Sequence, residues 1–89
     1  MAFALICNDT PGHLEIRKAN RDAHLAYIAE TGCVLFAGPF LAEGEMTGSL
    51  VVIDVPDMAA ARAWAEGDPY AKAGLFDSVE IREWKKVIG

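Results

Sequence analysis

Long apolar runs are missing from this chain of 89 residues. The longest fall well short of the ~20 residues that a membrane-spanning helix needs. Positive charge is also scarce: 8 Lys and Arg stand against 13 Asp and Glu, a formal net charge of -5. Without a broad basic field, neither nucleic acid nor an anionic membrane surface is an expected partner. There are two cysteines, Cys7 and Cys33, set among apolar residues and far from any CxxC spacing. With no leader segment recognisable, they read as reduced thiols of a cytoplasmic protein. Two histidines leave no metal-ligand spacing, and no phosphate-binding glycine loop or GxSxG elbow occurs. No cofactor and no metal are therefore expected. Internal repeats, linkers and low-complexity segments are absent too, so residues 1–89 read as one domain.

What the chain has is apolar content. At 53% it is high for so small a domain, because small domains have the most surface relative to volume. Residues 2–8 alternate Phe3, Leu5 and Cys7 against Ala4 and Ile6, which predicts a strand buried on both faces. Asn8 to Gly12 breaks it, and Thr10 before Pro11 is placed to cap a helix over residues 14–31, stopped by Gly32. A second apolar strand over 32–37 is expected to stop or bulge at Gly38-Pro39, since proline cannot donate to a ladder. A polar tip at 42–46 then leads through Thr47-Gly48-Ser49 into the strongest strand, 50–55, and predicts an antiparallel hairpin.

Asp57 reads as the N-cap of an alanine-rich helix over 58–66, with Trp64 as its one large anchor. Gly67 is expected to end that helix in a left-handed conformation, and Asp68 before Pro69 to cap a following turn over 68–73. A last strand lies within 75–88. Val79 and Ile81 fall on one alternation and Trp84 and Ile88 on the other, which predicts a bend near Glu83. The order strand, helix, strand, strand, helix, strand is the split βαβ arrangement of a ferredoxin-like α+β domain. Two helices cover one face of such a sheet. Since strands one to three are apolar on both faces, the other face is expected to meet a second copy in a homodimer.

On the first helix, Leu14, Arg17, Arg21, His24, Leu25 and Ile28 share one stripe at 100° per residue. Arg17 and Arg21 read most simply as solvated charges, and His24 beside Leu25 and Ile28 as a hydrogen-bonded core histidine. The bland reading of Asp68 is a cap on the following turn and nothing more. Its backbone donors would also fix its orientation, which suits it to support a partner, and His24 is the partner the chain offers.

Three pieces together, Arg21-Asp22-Ala23-His24-Leu25, Thr47-Gly48-Ser49 and Asp68 to Leu75, resemble the YCII-related (YciI-like) family, and Gly38-Pro39 and Trp84-Lys85-Lys86-Val87 fit its pattern as well. The resemblance spans nearly the whole chain. It implies a dimeric α+β barrel similar to muconolactone isomerase and a site built on a histidine and an aspartate, here His24 and Asp68. Among relatives it implies dechlorination of a small aromatic ring compound as one type of activity. On that basis His24 is the candidate general base or acid and Asp68 the residue that orients it. Arg17 or Arg21 would hold a carboxylate or phenolate, and Ser49 and Tyr70 would add hydrogen bonds. The expected ligand is a small, cyclic, anionic molecule. A non-catalytic ligand-binding or regulatory dimer built on the same pocket is the other reading.

Overall fold

A computed structural model describes residues 1–89. Its elements are β1 (Ala2–Asp9), α1 (Leu14–Thr31), β2 (Val34–Ala42), β3 (Glu45–Asp54), α2 (Met58–Gly67), α3 (Pro69–Lys72) and β4 (Phe76–Trp84). The strands form one antiparallel sheet in the order β2-β3-β1-β4. This is the ferredoxin-like βαββαβ fold that the element order predicts. No helix is long and apolar enough to cross a membrane.

The alternation along β1 and β3 sorts their side chains between the two faces. Phe3, Leu5 and Cys7 pair with Ile53, Val51 and Ser49, and the apolar members of this set pack with Ala61 and Trp64 of α2 into the core. Ala4, Ile6, Leu50 and Val52 therefore face the other way, where no helix lies. Even there Ala4 and Val52 are buried. Phe36 and Trp84 reach in from the two outer strands and meet edge-on with 5.6 Å between ring centroids.

The β2–β3 hairpin closes through Glu43 and Gly44, both at positive φ. That is the two-residue turn whose twist matches the flanking strands.

Four local expectations are corrected. Thr10 does not cap α1: His13 takes the N-cap position without a side-chain bond, and Thr10 instead accepts the His13 N–H through its carbonyl. β2 begins at Val34 and does not stop or bulge at Gly38-Pro39; it runs through to Ala42, with Pro39 opposite Ser49 and register shifts only near its two ends. The strand lies at the sheet edge, where a residue without an N–H costs no ladder bond. Gly67 is not left-handed; it closes α2 in helical conformation. Its lack of a side chain matters for another reason, because a Cβ there would overlap the Tyr27 hydroxyl and push that ring away. Finally, β4 stays in register through Glu83 and Trp84, and its irregularity is at the opposite end, facing Asn8 and Asp9.

Candidate active site

The site lies where α1 and α3 pack together over the end of β1 and the start of β3. Asp57 caps α2 by accepting the Ala60 N–H at 2.8 Å, and α2 then delivers the chain to Asp68. Asp68 caps α3, with Pro69 in the first helical position and Oδ1 accepting the Tyr70 N–H at 3.0 Å. The same Oδ1 is 2.8 Å from His24 Nδ1 in the middle of α1. Both residues are buried. A carboxylate only accepts, so Nδ1 carries the proton and donates, which leaves Nε2 as the ring nitrogen available for proton transfer. Tyr70 stacks on the imidazole, 4.0 Å between centroids at 15°. The histidine is thus fixed both in plane and in tautomer.

Two turns N-terminal to His24 along α1, Arg17 is also buried, which replaces the simple reading of it as a solvated charge. Its Nε and Nη2 donate to the two carboxylate oxygens of Asp9 at 2.7 and 2.8 Å. Nη2 also donates to Ser49 Oγ at 2.8 Å. The guanidinium carbon is 4.7 Å from the Tyr70 ring centroid, so that one ring bridges Arg17 and His24. Burial alone would make the guanidinium easier to deprotonate, but the Asp9 pair reverses this and raises its pKa. Arg21, between them, is exposed and takes part in no ion pair.

Arg17, Arg21, His24, Ser49 and Tyr70 all line one cleft of about 260 Å³. Asp68 stands behind His24 and does not line it. The rest of the lining is mainly apolar, made by Leu25 and Ile28 of α1 with Pro39, Met46 and Val51 of the sheet among others. For scale, an apolar cavity of ~150 Å³ accommodates benzene, so this volume suits one substituted ring. A larger, shallower depression of about 500 Å³ lies between α2, α3 and β4. It has neither the dyad nor a buried donor.

Two features escaped the sequence reading. Asp9 sits in a segment that looked like a strand break, and nothing in its neighbours marks it as the partner of a residue eight positions on. Of the apolar lining, Leu25 and Ile28 were legible from the helix stripe. Pro39 and Met46 were not, because the strand was expected to end before them.

Cys7 lies beneath the site, opposite Ser49 in the sheet. Burial, reinforced by the Asp68 charge and opposed by Arg17, pushes its thiol up to about 12. It stays a neutral thiol and no nucleophile. Burial likewise raises the Tyr70 hydroxyl against the pull of Arg17, so Tyr70 is a hydrogen-bond donor at neutral pH.

Fold and sequence together place the chain in the YCII-related family, whose domain model matches residues 1–85. It is 35% identical to protein YciI of Escherichia coli over 98% of this chain and 99% of that one. An uncharacterised protein of Haemophilus influenzae is similar to the same degree over the same spans. Among solved structures, the chain is similar to 5-chloro-2-hydroxyhydroquinone dehydrochlorinase (TftG) from Burkholderia phenoliruptrix AC1100, in complex with 2,5-dihydroxybenzoquinone. That likeness has a TM-score of 0.90 at 34% identity, covering 96% of this chain and 94% of the other. An antibiotic biosynthesis monooxygenase, with a TM-score of 0.61 at 10% identity, shares the fold alone.

Proposed function

We propose that this chain is a cytoplasmic, homodimeric enzyme that performs acid–base chemistry on a small oxygenated ring compound, with His24 as the general base. The observation that carries this reading is one arrangement: an imidazole whose Nδ1 is held by Asp68 at 2.8 Å, on the wall of a ring-sized cleft that also gathers Arg17, Arg21, Ser49 and Tyr70.

Nε2 of His24 removes a proton from a ring hydroxyl or ring carbon. On an aromatic ring the imidazolium first returns that proton to the chlorine-bearing carbon, giving the keto tautomer. Nε2 then takes a second hydroxyl proton, and the freed pair closes a carbonyl. The ring double bond moves to the chlorine-bearing carbon and chloride departs with the pair of its own bond, so no outside oxidant is needed. Asp68 keeps the ring in the tautomer that presents Nε2 and stabilises the imidazolium as it forms. Arg21, the unpaired cation lining the cleft, attracts an ionised oxygen. Arg17, Ser49 and Tyr70 supply neutralised or neutral donors to the remaining oxygens, and the apolar lining excludes water from the ring. The named substrate of the dehydrochlorinase relative has the right size and donor pattern for this cleft.

The test is to incubate the protein with 5-chloro-2-hydroxyhydroquinone and follow chloride release with a chloride electrode. The expected result is release above the buffer rate, with His24→Ala lowering kcat by about 10² to 10⁴ fold while its circular dichroism is unchanged. Binding of the compound without release would favour a non-catalytic binding module. Neither binding nor release would remove chlorinated hydroquinones as the substrate class.

A further inference from the structure

We propose that Asp9 is a positioning residue of the cleft, acting through Arg17. This rests on the functional reading above and extends it to a residue that does not line the cleft. Asp9 ends β1, and its side chain is nearly as buried as that of its partner, 7% against 3% exposed. Its two oxygens take Nε and Nη2 of Arg17 in a parallel pair at 2.7 and 2.8 Å. This two-point grip fixes the guanidinium plane as well as its place. The second bond from Nη2, to Ser49, fixes the remaining rotation.

Three of the five guanidinium N–H groups are thereby committed. Nη1 takes part in none of these three bonds and is not sealed from solvent; with the Tyr70 hydroxyl in hydrogen-bonding reach of the guanidinium, it is the edge that Arg17 has to offer. A surface arginine would offer the same group from a mobile stem. Here it is held still by a carboxylate that also cancels its charge. The floor of the cleft is in this way donor-rich and close to neutral, with Arg21 left as the one unpaired cation lining it. Ligand orientation falls to Arg17 and long-range attraction to Arg21. Arg17 also touches the Tyr70 ring that stacks on His24, so a loose Arg17 would slacken one face of the base.

The experiment uses the full chain with Asp9→Asn, Arg17→Gln and the double variant. Asn keeps the shape and one acceptor of Asp9 but removes its charge. The double variant removes both charges, so one member of the set carries no unpaired buried charge even if a single variant is unstable. Binding of 2,5-dihydroxybenzoquinone is measured by calorimetry, and the arginine Nε–H signals are followed by NMR without ligand. Arg17 Nε–H in the wild type is expected to exchange much more slowly than those of the exposed Arg62 and Arg82, and to lose that protection in Asp9→Asn. Affinity should fall on the order of tenfold in Asp9→Asn, about the loss of one well-oriented charge-assisted hydrogen bond. The double variant should be no weaker than Arg17→Gln alone, since a residue acting through another adds nothing once that other is gone.

An affinity that is unchanged or rises in Asp9→Asn overturns the proposal, because freeing the charge of Arg17 would then matter more than orienting it. An unprotected Arg17 Nε–H in the wild type overturns it whether or not any ligand binds. Failure of the wild type to bind the quinone counts against the substrate class instead, and the exchange measurement still decides the role of Asp9.

Discussion

Cys7 shows how burial beside charge silences a side chain. Its thiol stands at about 12 against an ordinary 9.0, with burial the largest cause and the Asp68 charge the next. The folded state thus holds that proton more tightly than the unfolded chain does. The resulting stability is present in full below the unfolded value and is lost as pH rises from there toward the folded one. The unfolding free energy is therefore expected to fall between about pH 9 and about pH 12, by up to about 1.4 kcal/mol per pH unit from this group. Cys7→Ala should flatten that part of the profile. Tyr27 and Tyr70, both raised chiefly by burial, add a decline of the same sign at higher pH. A Cys7→Ala profile as steep as that of the wild type would show that the thiol is not the source. Thiol reagents should reach Cys7 only on unfolding.

At the scale of elements, the dyad depends on how α1 is fastened to the end of α2. Trp64 Nε1 donates to Thr31 Oγ1 at 2.9 Å, Thr31 Oγ1 donates to the Tyr27 carbonyl at 2.9 Å, and the Tyr27 hydroxyl donates back to the Trp64 carbonyl at 2.8 Å. This closed circuit sits one to two turns beyond His24 on α1 and just before Asp68 on the other side. Gly67 lets the Tyr27 hydroxyl approach the α2 backbone. Trp64 is also part of the buried core with Phe3, Leu5 and Val51. Trp64→Ala should therefore cost about 3 to 5 kcal/mol in chemical denaturation, and should loosen the His24–Asp68 contact in whatever protein remains folded. An unchanged midpoint would mean that the helix pair is held by something else.

Much of this level was legible in the sequence. Asp57 and Asp68 announce themselves as caps by the helix pattern and proline that follow, and Gly32 ends α1 in the left-handed conformation its position predicts. The packing of α1 against the end of α2 followed from the element order. What stayed hidden were pairings that depend on three-dimensional approach and leave no local pattern: Asp9 with Arg17, and Tyr27 over Gly67. Gly67 in particular looked like a helix terminator, because a glycine before a capping aspartate has that local signature whatever its real constraint.

For the whole molecule, the sheet face opposite the helices sets the expectation. Register places Ile6, Leu50, Val52, Phe36 and Phe40 on it, and Trp84 completes the set from β4. Phe36, Phe40 and Trp84 remain 46%, 37% and 37% exposed, an aromatic and aliphatic surface over β1, β2 and β3 that is bordered on β4 by the charged Glu80 and Arg82, opposite Ile6 and Ala4. Isolated exposed apolar residues are ordinary, but a continuous face of them is characteristic of an interface. A second copy of the same face would satisfy it with twofold symmetry, sheet against sheet, an arrangement that the oligomeric state tests. Sedimentation at micromolar concentration should accordingly give about twice the chain mass of 9.6 kDa. Phe36→Glu, which places a charge at the middle of that face, should shift the mass toward the monomer and lower the denaturation midpoint with it, since the fold and the assembly would then share one apolar surface. Such a variant should keep the His24–Asp68 contact, because the dyad lies on the helical side of the sheet. A wild-type chain that sediments as a stable, non-aggregating monomer would mean that the Phe36–Trp84 pair covers Ala4 and Val52 well enough on its own, and the dimer would have to be abandoned.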